Sequence, residues 1–120
     1  MRTIILDSAP AELSHFCSLC TEIPDIQIIG QFLSAAEALD CARSNPIDLA
    51  FLAPEAGGLT LAKKLRAIRE DMLIAFISGY TKYAREFNKL GGDYYLVKPI
   101  HRKVLELAME RLRLLACRLR

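Results

Sequence analysis

Three short apolar runs in this chain each end where a side chain could do chemistry. Ile4-Ile5-Leu6 is followed by Asp7 and Ser8, Phe76-Ile77 by Ser78 and Gly79, and Tyr95-Leu96-Val97 by Lys98 and Pro99. A carboxylate, a hydroxyl and an ammonium brought together can hold a phosphoryl group or, through the carboxylate, a hard divalent cation. A fourth run, Asp48-Leu49-Ala50-Phe51-Leu52, reads as a buried strand that ought to deliver a second carboxylate, but position 53 is Ala53. The chain keeps much of the frame of a phosphorylation site and lacks the group that would be phosphorylated. That points to a signalling module rather than an enzyme.

The elements that must position these residues alternate along the whole chain. Residues 3–7 read as a short buried strand. Asp7 or Ser8 is expected to cap a helix starting near Pro10, since proline suits a first helical turn. That helix buries Leu13, Phe16, Cys17 and Cys20 and stops before Pro24. A second strand covers 26–31. Ser34, with Glu37 three residues on, has capping-box spacing for a second helix whose apolar face is Ala38, Leu39 and Ala42. The third strand ends near Pro54, which cannot donate to a central ladder. Gly57-Gly58 turns the chain into a third helix with Leu59, Leu61, Ala62, Leu65 and Ile68 as its expected buried face. A fourth strand (73–77), a fourth helix from Thr81 or Lys82 to Leu90, a fifth strand (94–97) and a last helix from about Ile100 complete the pattern.

Five strand–helix units imply an α/β fold with a parallel sheet covered on both faces. With right-handed crossovers, the expected arrangement is the flavodoxin-like, doubly wound (βα)5 sheet of order 2-1-3-4-5. Ligands of such sheets bind outside the carboxyl ends of the strands. Asp7, Ser8, Ala53, Ser78 and Lys98 should therefore converge on one pocket. Asp48 lies at the other end of its strand, about 15 Å away at ~3.3 Å per residue.

At 120 residues, 52% hydrophobic and 25% charged, residues 1–120 are expected to form one domain of a cytoplasmic protein. No apolar run approaches the roughly 18 residues of a membrane span, and Met1-Arg2-Thr3-Ile4-Ile5 enters the first strand without a signal-peptide pattern. A net charge of +2 says nothing for or against nucleic acid. The four cysteines Cys17, Cys20, Cys41 and Cys117 lack a second close pair, and His15 and His101 do not supply zinc-ligand spacing. They read as small apolar residues in a reducing compartment.

In the order Ile4-Ile5-Leu6-Asp7-Ser8-Ala9-Pro10, Asp48 to Leu52, Gly58 to Arg66, Ile77-Ser78-Gly79-Tyr80 and Asp93 to Ile100, the chain resembles a receiver domain of bacterial two-component response regulators. The likeness is to receivers that precede LytTR-type or related transcription-regulator domains. It spans the whole chain and implies that Asp7 matches the first metal-binding acid, with Ser8 standing where the second belongs. Ala53 stands at the phosphoacceptor, Ser78 at the hydroxyl position and Lys98 at the phosphoryl-binding lysine. Tyr95 matches the aromatic whose rotation reports phosphorylation. The loop after Ala53 is shorter than in the family and lacks its Met-Pro element.

The resemblance is thus to a degenerate, or pseudo-, receiver, with no catalytic residue, no cofactor and Mg²⁺ binding weak or absent, through Asp7 at most. Glu55 is the nearest carboxylate to Ala53. It either leans into the pocket to pair with Lys98 or is an ordinary solvated loop glutamate, the commoner fate of a loop charge. Asp7 is the obvious partner of Lys98. The Lys98-Pro99 bond is expected to be cis.

The implied partners are proteins: a homodimer through the fourth helix, fifth strand and fifth helix, and a C-terminal DNA-binding output domain of a longer regulator beyond Arg120. That face carries Lys82, Arg85, Glu86, Lys89, Asp93, Arg102, Lys103 and Glu106, mixed signs that suit a symmetric pairing or a solvated surface. The last helix has a stripe of Leu105, Met109, Leu112, Ala116 and Leu119 at coiled-coil spacing, and further apolar residues at Val104, Leu107, Ala108, Leu114 and Leu115. The expected function is phosphorylation-independent control of an output domain through protein contacts. The alternatives are a receiver phosphorylated at a non-standard residue and a flavodoxin-like small-ligand binder. The missing Gly-rich loop after the first strand speaks against the last.

Overall fold

Strands of four to six residues, separated by helices and most apolar at the centre, form a five-stranded parallel sheet. The computed structural model describes residues 1–119. Its elements are β1 (Arg2–Leu6), α1 (Pro10–Thr21), β2 (Gln27–Phe32), α2 (Ala35–Ser44), β3 (Leu49–Leu52), α3 (Gly58–Ile68), β4 (Leu73–Ser78), α4 (Ala84–Lys89), β5 (Tyr94–Val97) and α5 (Arg102–Leu119), with a 3₁₀ turn at Pro54–Ala56. The strand order is β2-β1-β3-β4-β5, the doubly wound order that the alternation implied.

The register lines up the residues that matter. Leu6 pairs with Leu52, Leu52 with Phe76, and Ser78 with Val97, so Asp7, Ala53, Ser78 and Lys98 all emerge at one end of the sheet. Every residue of β3 and β4 is buried, as expected of central parallel strands.

Alternation along the strands divides the core into two layers. Phe51 and Ala53 face α1 and α5, with Phe16, Leu105, Met109 and Leu112. Ala50 and Leu52 face α2 and α3, with Leu39, Leu61, Leu65 and Phe76. The Phe16 and Phe51 rings meet edge to face with centroids 4.9 Å apart. Each such buried side chain stabilises the fold by roughly 1.5–3 kcal/mol relative to exposure.

Local expectations fared unevenly. The Ser34 hydroxyl accepts the Glu37 N–H at 3.4 Å, capping α2. The Lys98-Pro99 bond is cis. The cap expected for α1 is not made: Ala9 is the N-cap residue, without a side-chain bond, because Asp7 turns its carboxylate into the pocket. On α3, Leu61, Ala62 and Leu65 are buried, but Leu59 is half-buried and Ile68 exposed, since the helix meets the sheet along a narrower stripe than its composition offers. Helix α4 is only six residues long. Thr81 to Tyr83 form a turn instead, closed by the Ala84 N–H on the Thr81 carbonyl at 3.1 Å. On α5, Leu105, Ala108, Met109 and Leu112 are buried and Leu115 and Ala116 half-buried, whereas Val104, Leu107 and Leu114 are exposed. The side chain of Leu119, and Arg120 altogether, lie outside the described residues.

Candidate functional site

At the carboxyl end of the sheet, Asp7, Ser8, Glu12, Glu55, Gly79, Tyr80 and Lys98 line a cavity of about 360 Å³. Asp7 follows β1 directly and is only 1% exposed. One of its oxygens accepts the N–H groups of Ser8 (2.7 Å) and Ala9 (3.4 Å), and the other pairs with Lys98 Nζ at 2.7 Å. Lys98 also reaches Glu12 at 3.1 Å. Burial pushes the ammonium down, but the bonds to Asp7 and Glu12 outweigh it and hold Lys98 above its ordinary pKa.

The other half of the site is built on the turn after β3. Ala53 is wholly buried and belongs to the apolar layer under α1 and α5, so its methyl lies beneath the cavity rather than in its wall. Its carbonyl accepts the N–H groups of Ala56 (3.0 Å) and Gly58 (3.2 Å), which folds 54–58 into a tight turn. Gly58 is required there: a Cβ on it would sit 2.5 Å from the Ala53 oxygen. The turn brings Glu55 over Ser78, whose hydroxyl donates to the Glu55 carboxylate and accepts the Tyr80 N–H at 3.1 Å. Glu55 is thus an exposed residue of the turn, as expected of a loop glutamate, yet its carboxylate reaches Ser78 and not Lys98; Glu12 takes the position beside Lys98 that the sequence had offered to Glu55.

The Tyr95 hydroxyl donates to the Tyr80 carbonyl at 2.6 Å. Its ring packs edge to face on Phe87 and Phe76, at 5.3 and 5.9 Å. Burial raises the phenol pKa, the Ser78 hydroxyl opposes that rise, and the Glu55 charge adds to it.

Comparison with known proteins bears on the fold that carries this site. A receiver domain (CheY-like) from Methylobacillus flagellatus superposes with a TM-score of 0.79 at 26% identity, covering 93% of this chain and 98% of that one. The response regulatory domain of mrkE from Klebsiella pneumoniae gives a TM-score of 0.86 at 20% identity, covering 98% and 99%. The transcriptional regulatory protein LytR of Staphylococcus aureus is 26% identical over 116 residues, 94% of this chain and 47% of that protein. The chain has the fold of a response-regulator receiver (CheY-like) domain and is homologous to the LytR regulators. This receiver spans about half the length of the curated relatives it matches; the sensory transduction protein LytT of Enterococcus faecalis, 24% identical over 114 residues, is likewise covered over 47% of its length. No family model matches it.

The Mg²⁺ that the resemblance implies does not fit the donors of this receiver. Asp7 is engaged on both oxygens, Ser8 is neutral, Ala53 offers no side-chain donor, and Glu55 is held by Ser78. Mg²⁺ gives up its hydration shell only to well-placed oxygens. Among the described residues, no three His, Cys, Asp or Glu side chains cluster at ligand distance. The Cys17–Cys20 pair lies buried in α1. Burial raises the Cys17 thiol, and burial with the nearby Cys17 pushes Cys20 up to about 12, so both are poor thiolates.

Sequence reasoning missed Glu12 and Tyr80. Glu12 had a signal, an acid in the first turn of a helix that starts beside Asp7. Tyr80 acts through its backbone, which no side-chain pattern reveals. Of the charged residues on the α4–β5–α5 face, Asp93 is consumed by Arg66 at 3.0 Å, and Arg102 pairs with Glu106 at 2.9 Å and Glu22 at 3.2 Å. Among the described residues, no helix is long and apolar enough to cross a membrane.

Proposed function

We propose that this receiver is a pseudo-receiver, a non-enzymatic module that works without phosphorylation and controls an output domain, transcriptional in kind, through protein contacts. The observation that carries the reading is the exchange at the end of β3. A buried methyl replaces the acceptor carboxylate at Ala53, and the Ser78 hydroxyl that would meet a phosphoryl oxygen is already bound by Glu55. The single domain, its cytoplasmic location, the absence of a cofactor and an output domain elsewhere in a longer regulator belong to the same proposal.

The test is intact mass after incubation with acetyl phosphate and Mg²⁺, with an absorbance scan for flavin. An unchanged mass and a featureless visible spectrum are expected. Stoichiometric labelling would overturn the reading in favour of a non-standard acceptor, and a bound chromophore would favour a ligand-binding role. Ala53→Asp alone should label weakly, and Ala53→Asp with Ser8→Asp should label more.

The proposed partner contact is a constitutive homodimer through α4, β5 and α5. Leu107 and Leu114 are 60% and 57% exposed on the outer side of α5, while the core-facing stripe is already satisfied. Sedimentation should show association set by concentration alone, and Leu107→Glu or Leu114→Glu should give folded monomers. A wild-type monomer at high micromolar concentration would end this part of the proposal.

A further inference from the structure

We propose that Glu55 is a positioning residue, a tethered ligand that holds Ser78, Tyr80 and Tyr95 in one arrangement, so that the turn after β3 sets the surface beside β5. This rests on the reading that no phosphoryl group occupies the site.

Pro54 is buried, the Gly57 N–H bonds to the Pro54 carbonyl at 3.2 Å, and the Ala56 and Gly58 N–H groups share the Ala53 carbonyl. Gly57, at φ 85°, and the close approach at Gly58 leave the turn little freedom. Glu55 is thus presented to Ser78 from a pre-organised frame, and the bond costs little ordering of the chain.

A serine hydroxyl has one proton to give. Here it goes to Glu55, which orients the oxygen lone pairs towards the Tyr80 N–H. Without the Glu55 acceptor, that proton turns to another acceptor, water included, and the hydroxyl is free to rotate. The Tyr80 N–H then loses the partner that fixes it, and the Tyr80 carbonyl, one peptide further along the same residue, is the acceptor for Tyr95. Four groups therefore connect the cavity to the groove of about 260 Å³ that Tyr95 lines with Thr81, Ala84, Phe87, Asn88 and Val97.

Glu55 is also unlike the other acid in the cavity wall next to β1. Asp7 is neutralised by Lys98, whereas Glu55 forms no salt bridge among the described residues. Its one bonded protein partner is the hydroxyl that leads to Tyr95. An acid that served only to neutralise a buried cation would be placed otherwise.

The experiment uses the whole chain with fluorotyrosine at Tyr80, Tyr83, Tyr94 and Tyr95, each fluorine resonance assigned by a Tyr→Phe variant. Glu55→Ala and Ser78→Ala should move the Tyr95 resonance to the same new position, and the double variant should move it no further. Glu55→Gln should fall between, since an amide oxygen still accepts. The Tyr94 resonance should stay in place in every variant, which reports an intact fold. As a second readout, the Tyr95 phenol should ionise at lower pH in Glu55→Gln, because a negative charge beside it has gone. A Tyr95 resonance that ignores Glu55→Ala would overturn the proposal, as would effects of Glu55→Ala and Ser78→Ala that simply add. Phosphoryl uptake by mass bears on the pseudo-receiver reading, and the fluorine spectrum on this one, so either can fail alone.

Discussion

The acids at the amino end of the sheet and the glutamate in the turn over β3 are used in opposite ways. At the amino end, Asp48 accepts the Arg2 N–H at 2.8 Å and pairs with Arg69 at 3.2 Å. Asp93 accepts the Ile74 N–H at 2.8 Å and pairs with Arg66 at 3.0 Å. Each of these acids satisfies the backbone of a neighbouring strand and is neutralised by an arginine leaving α3, so it splints the sheet. In the turn over β3, Glu55 holds no backbone group and no cation, only a hydroxyl. One design fixes strands to each other; the other leaves a contact that a small change can release without cost to the fold.

Substitutions should separate the two designs. Asp93→Ala removes a strand N–H partner and the carboxylate that holds Arg66, a side chain whose Nε is already buried without a partner. The expected loss is about 2–3 kcal/mol by urea denaturation; a loss under half of that would mean the amino-end acids are no splint. Gly58→Ala forces the turn away from the Ala53 carbonyl and should cost about 1–3 kcal/mol. It should also shift the Tyr95 signal, which Asp93→Ala should leave alone.

The amino end should also show in the acid limb of stability. Burial pushes the Asp48 carboxyl up, but the Arg2 N–H and Arg69 together outweigh it and hold the group below its ordinary pKa. An acid depressed in the folded state contributes stability above its unfolded pKa, near 4, and that contribution is lost as pH falls through the folded value. Asp48→Asn should therefore flatten the decline in stability below about pH 4. An unchanged slope in denaturant melts across that range would remove Asp48 from the account. The smallest effect belongs to Glu55→Gln, expected to change stability by less than about 1 kcal/mol. A larger loss would make Glu55 another splint and erase the contrast.

The fold was legible because its signals are local. Buried runs such as Leu49 to Leu52, the Ser34 cap and the proline and glycine punctuation each act within a few residues. The extent of α4 was not, because Thr81-Lys82-Tyr83 have nothing that forbids a helix and the turn is decided by where β4 ends. The site was half legible. Asp7 and Lys98 could be paired from strand ends alone, since the sheet order dictates their meeting. The Glu55–Ser78 and Glu12–Lys98 contacts depend on how a turn and a helix start are aimed, which spacing along the chain does not encode.

The sheet order has a consequence for how the chain is made. Strand β1 is enclosed by β2 on one side and β3 on the other, whereas β4 and β5 follow outward in order on a single flank. During synthesis the first three strands can complete a sheet before β4 has emerged. From then on, growth needs only successive addition at one open edge. A ribosome pause after β3 would leave that edge, the backbone of Leu49 to Leu52, as the exposed and aggregation-prone feature of the nascent chain.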